Sequence, residues 1–170
     1  MGTIWRFTLC GITSLAACGT GADAPGTARD APNQASAASP QCDILTSADV
    51  QAVTGTSVQR IERNPAIGAG GTCVNFASAD GQAYLGVNRL SSRAEYTSSL
   101  SAVPNDVYPS KEPVAGLGEE AVLFKGPGGL RYLVAWQGEV GVVLFPLGEG
   151  FRMSDQQLRD LTAKALASAR

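Results

Sequence analysis

The residues with the widest chemical reach in this sequence are four cysteines, at positions 10, 18, 42 and 73, and what they can do depends on what accompanies them. The chain has no histidine, which removes the commonest general base, the usual zinc ligand and the side chain that titrates near neutrality. A serine or cysteine nucleophile needs a base beside it, and neither G-x-S-x-G nor S-x-x-K occurs. Glu119 and Glu120 are the adjacent carboxylates of the C-terminal part. Neighbours entering a strand point to opposite faces, so these two are ill placed as an acid and base sharing one substrate, and a charged turn before a strand is the simpler reading. Asp43 and Asp49 belong to a helix start. The glycine runs "GAGG" (68–71) and "GPGG" (126–129) lack the lysine and hydroxyl of a phosphate loop and read as turns. No dense run of oxygen ligands suits calcium. The sequence therefore names no catalytic residue, no metal site and no cofactor.

The chemistry that remains is at the N-terminus. "MGTIWRFTLCGITSLAAC" has one cationic side chain, Arg6, followed by an apolar stretch the length of a signal-peptide h-region and too short to span a bilayer. It ends in Leu15-Ala16-Ala17-Cys18, which resembles the lipobox of bacterial lipoproteins. The resemblance implies cleavage before Cys18, diacylation of its sulfur and frequent acylation of the new amine. An ordinary secretory signal with Cys18 incidental is the alternative. Two or three acyl chains, at about 0.8 kcal/mol per buried methylene, hold a protein on a membrane where one does not.

Residues 1–17 are thus expected to be a lipoprotein signal peptide, and 18–40 an anchor and tether. The stretch 19–40 contains no Leu, Ile, Val, Met or aromatic residue, so it cannot bury enough surface to offset the entropy of ordering. As a flexible chain it would hold the domain about 25 Å from the anchor on average. Gly19, not aspartate, follows Cys18. In a host with two membranes that resembles the default signal for the outer membrane, facing the periplasm; with one membrane, the outer face of the cytoplasmic membrane is implied.

Cys10 leaves with the signal, so Cys42 and Cys73 are the thiols of the folded part. Export to an oxidising compartment favours a disulfide between them, worth about 3 to 4 kcal/mol in the chain-entropy model. A metal or redox pair is the alternative, without CxxC spacing or histidine to support it.

Residues 41–170 read as one globular α+β domain. Thr46 and Asp49 form a capping-box pair, Leu45 can staple to Val50, and Gly55 stops the helix. Ser154 and Gln157 cap a C-terminal helix, with Met153 stapling to Leu158 and a stripe at Leu158, Leu161, Thr162, Ala165 and Leu166. A further short helix is expected over 92–101. Strand-like runs lie at 57–63, 72–78, 82–89, 120–125, 130–136 and 139–145. In "LRYLVAWQGEVGVVLF" both alternating sets are apolar, so the strands need cover on both faces. The expectation is an antiparallel sheet of about five or six strands packed by the C-terminal helix, with one or two further short helices.

Tyr84, Tyr96, Tyr108, Phe124, Tyr132, Trp136 and Phe145 could line a pocket, although most should be core. Tyr108, in the proline-bracketed loop "VPNDVYPSKEP", is the best placed for an exposed binding contact. Arg131, in an otherwise apolar strand, either faces solvent at an edge or meets an anion or carboxylate. The formal charge of −2 offers no footprint for nucleic acid.

"CDILTSADVQAVTG", "GTCVNF", "VAGLGEEAVLF" and the closing helix together resemble a family of small bacterial lipoproteins of unknown function. Its pattern is matched here by Ile44-Leu45-Thr46 after Cys42, by Cys73, and by Gly116-Leu117-Gly118-Glu119-Glu120-Ala121. The resemblance implies a disulfide-bonded α+β envelope domain and transfers no catalytic residue.

The function expected from the sequence is a non-enzymatic, membrane-anchored envelope lipoprotein whose domain binds a protein partner or a small ligand. An inhibitor or immunity protein, presenting Tyr108 and the 64–72 loop to a toxin or hydrolase, is the second reading. A carboxylate-dependent hydrolase using Glu119 or Glu120 is the rival of another class. Replacing Cys18 with serine should move the protein from the membrane fraction to the aqueous phase of a detergent partition in a bacterial host; an unsubstituted chain already in the aqueous phase would refute the anchor.

Overall fold

Two strands with apolar side chains on both faces demand two covers, and the fold is arranged around that demand. The computed structural model describes residues 43–61 and 74–170, all within one compact unit. The signal, the tether, Cys18, Cys42, Cys73 and the 64–72 loop lie outside the described residues. Among the described residues seven strands form one antiparallel sheet: β1 Val58–Ile61, β2 Val74–Ser78, β3 Ala83–Leu90, β4 Ser110–Pro113, β5 Glu120–Lys125, β6 Arg131–Gln137 and β7 Val140–Pro146, in the order β1-β2-β3-β7-β6-β5-β4. Among the described residues three α-helices accompany it: α1 Ser47–Thr54, α2 Arg93–Ser101 and α3 Asp155–Ser168. Among the described residues no helix is long and apolar enough to cross a membrane.

The α+β architecture expected from the sequence is the one observed, with seven strands rather than the five or six anticipated. The extra strand is β4. Pro109 precedes it and Pro113 is its last residue, and proline cannot donate to a ladder, so the segment reads as a loop. It is tolerated because β4 is an edge strand paired only with β5, Pro113 lying opposite Val122.

α1 and α3 close one face. Thr46 accepts from the Asp49 backbone while the Asp49 carboxylate accepts from the Thr46 N–H at 3.0 Å, and Gly55 ends α1 at φ 74°. Ser154 and Gln157 cap α3 in the same reciprocal way. The α3 stripe Leu158, Leu161, Thr162, Ala165 and Leu166 is buried against Leu133, Ala135, Val142 and Leu144 of the central strands. Leu117 joins them from the turn before β5. Gly116 and Gly118 give that turn its left-handed backbone (φ 75° and 68°), and a side chain at 118 would meet the Trp136 carbonyl oxygen at 2.5 Å.

α2 closes part of the other face. It carries the chain from β3, across the sheet, toward the far edge at β4. Tyr96 and Leu100 of α2 pack with Leu90, Val134, Trp136 and Val143. Leu133, fully buried on the α3 side, is the most direct test of this layering. Leu133→Ala should lower the urea midpoint with little change in slope, a cost of about 2 to 5 kcal/mol, as the neighbours collapse only partly into the space left.

Candidate functional site

The register of the sheet places one rank of side chains across its α2 face. Ile61 lies opposite Asn75, Asn75 opposite Gly86, and Gly86 opposite Phe145. The pairing of Leu133 with Leu144 sets Tyr132 beside Phe145; Phe124 is opposite Tyr132 and Lys111 opposite Phe124. Directly opposed residues share a face, so seven strands contribute one row. Its centre is aromatic. Tyr132 and Phe145 are 6.0 Å apart with planes only 22° apart, and Phe124 meets Tyr132 edge-on at 6.2 Å. The Phe145 ring lies flat over Gly86: a β-carbon there would sit 2.2 Å from its Cζ. A glycine inside a strand is the signal for such a close approach.

Tyr108 stands over this row. Its backbone N–H and that of Val107 both donate to the Pro104 carbonyl, at 2.9 and 3.2 Å, making a tight turn. Its ring is 6.2 Å from that of Tyr132. Tyr108 is therefore half-buried, and the neighbouring Val107, 38% exposed, projects farther. Burial pushes the phenols of Tyr108 and Tyr132 above their ordinary range, that of Tyr132 further through its neighbour Tyr108. At the Ile61 end, Asn75 is 2% exposed and its Oδ1 has no hydrogen-bond partner among the described residues. Tyr132 and Phe145 are half-buried, so the row is an aromatic surface partly open to solvent.

The other end of this face is closed. Tyr96 packs on Trp136 at 5.7 Å, and the Arg93 guanidinium lies 4.7 Å from the Tyr96 ring centre. Arg93 also pairs with Glu120. Glu119 points elsewhere, accepting from the Gly138 N–H at 3.0 Å. The two carboxylates thus have different partners and do not converge.

Arg131 meets a carboxylate, on the α3 side. Its Nε donates to Asp155 Oδ1 at 2.6 Å, and its Nη1 to the carbonyls of Phe151 and Gly129 at 3.0 and 3.2 Å. Lys125 bridges Asp155 and Glu112, each at 2.9 Å. This network ties the β4 edge, β5 and β6 to the first residue of α3. Of the two courses open to Arg131 from the sequence, solvent at an edge or a carboxylate partner, it takes the second, and its guanidinium acts as a strut. Tyr108 is brought together with Tyr132 and Phe145, away from Arg131. Among the described residues no group of His, Cys, Asp or Glu is arranged to hold a metal ion.

What the geometry defines is an antiparallel seven-stranded α+β domain with one aromatic row partly exposed. Compared with known proteins, the chain matches no family model, no curated protein and no solved structure.

The network makes stability depend on acid. Hydrogen bonds and charge from Lys125 and Arg131 overcome the burial that opposes ionisation and hold the Asp155 carboxyl below its ordinary range; Lys125 chiefly does the same for Glu112. Their contribution is full above the unfolded carboxyl range, about pH 4, and is lost as pH falls through the lower folded values. Asp155→Asn should therefore lower the denaturation midpoint at neutral pH, and the difference from the parent should shrink as pH drops below about 4; a gap that stays constant down to acid pH would contradict the sign.

Proposed function

We propose that this chain is a bacterial envelope lipoprotein, held on a membrane through lipid on Cys18, whose folded domain binds a protein partner or small ligand without catalysing a reaction. The observation that carries the binding half is the aromatic row of Tyr108, Tyr132 and Phe145. Aromatic rings offer large contact area with few torsions to freeze, and Tyr adds a polar tip. Phe145 on Gly86 and Tyr108 on its proline turn are braced, so little ordering entropy opposes contact.

The anchoring half rests on the signal-like segment, Leu15-Ala16-Ala17-Cys18 and the apolar-free stretch behind it. A disulfide between Cys42 and Cys73 belongs to the same proposal. Its support is indirect: Asp43, next to Cys42, pairs with Arg60 of β1, and β1 pairs with β2, whose first residue, Val74, follows Cys73.

The experiment immobilises the full chain in detergent and passes over it an envelope extract from its own host. One species should be retained at near-stoichiometric amount, and about tenfold less should remain on Tyr108→Ala, the loss typical of a truncated aromatic anchor. Equal retention by both forms would remove the aromatic row from the proposal.

A further inference from the structure

A second feature lies on the opposite face of the sheet and is not needed for the reading above. A cleft of about 180 Å³ opens between the end of α1 and the start of α3, lined by Thr54, Thr56, Tyr84, Glu149, Arg152, Met153 and Gln157. That is below the ~300–1,000 Å³ of pockets for drug-sized ligands, and it suits a molecule of a few heavy atoms. Its floor is buried Met153. One wall is hydroxylic: Tyr84 Oη donates to Thr56 Oγ1 at 3.3 Å, which leaves the threonine hydrogen and the phenol lone pairs for another molecule.

The turn that carries the two charges, Gly148–Arg152, is held down at several points. The Leu147 N–H donates to the Tyr84 carbonyl at 2.8 Å. A β-carbon at Gly150 would fall 2.0 Å from that same oxygen, and one at Gly148 2.7 Å from the Ala83 oxygen. The Phe151 carbonyl accepts from Arg131. Between these fixed points Glu149 and Arg152 reach the cleft from a backbone that cannot shift freely. They are opposite in sign, yet among the described residues neither forms an ion pair, with the other or with any third group.

We propose that this cleft binds a small zwitterion of the free amino-acid class, its carboxylate toward Arg152 and its ammonium toward Glu149. An arginine fork matches a carboxylate, and a carboxylate accepts from an ammonium. A ligand with one charge satisfies half of the site and leaves the other half unmatched.

The test is ligand-observed NMR on the full chain in detergent, with alanine, propionate and ethylamine as probes. Alanine should bind about tenfold more tightly than either single-charge probe. Arg152→Ala and Glu149→Gln should each weaken it about fivefold, as expected for losing one charge-assisted contact, with the near-ultraviolet circular dichroism of the fold retained. Tyr108→Ala should leave alanine binding intact, which separates this site from the aromatic row. No alanine binding, equal binding of propionate or ethylamine, or unaltered affinity in both charge variants would overturn the proposal.

Discussion

The structure depends on one constraint: β6 and β7 are apolar on both faces, and neither face can be left in water. Leu133, Ala135, Val142 and Leu144 go to one side, and Val134, Trp136 and Val143 to the other. Residue for residue, each buried leucine or valine side chain gains roughly 1.5 to 3 kcal/mol by leaving water, so two covers are more favourable than one. α3, which follows β7 after the 148–152 turn, supplies the first with α1 at its side. The second is harder to supply, because the chain must cross the sheet to give it. α2 and the loop to β4 make that crossing, and the price is that α2, of nine residues, covers only the Trp136 end.

From this incomplete second cover comes the aromatic row. Beyond α2, the sheet is shielded by its own large side chains laid flat, Phe145 on Gly86 and Tyr132 beside it, with Tyr108 folded down from the loop. A ring used in this way remains half open, which joins a packing solution to a surface suited to recognition. The charged struts serve the same end. Arg131, Lys125, Asp155 and Glu112 fix the β4 edge and the 148–152 turn against the start of α3, so the rigid frame extends to both the row and the α1–α3 cleft.

Local signals made much of this legible. Both capping boxes, the glycine stop of α1, the five-residue stripe of α3 and six of the strands follow from short-range patterns and appear where those patterns put them. β4 escaped because its prolines forbid the usual strand signature while an edge position forgives them. Which of its two courses Arg131 takes is not readable in the sequence, because Asp155, twenty-four residues on, reaches back to it only in the fold. The aromatic row was invisible for a deeper reason: it is a property of register across strands distant in sequence, and no window of the chain contains Gly86, Tyr132 and Phe145 together. The glycines at 86, 148 and 150 were the readable hints, since each marks a close approach of other atoms.

The central claim, that the aromatic face of an anchored domain is its contact surface, is tested most directly by photo-crosslinking in the intact envelope of the host. A benzophenone side chain at the exposed Val107, beside the row, is compared with one at the exposed Gln156 on α3. A discrete added mass on the protein from position 107, absent from position 156, is the predicted result. Adducts from position 156 with none from 107 would place the contact on the other face and contradict the claim.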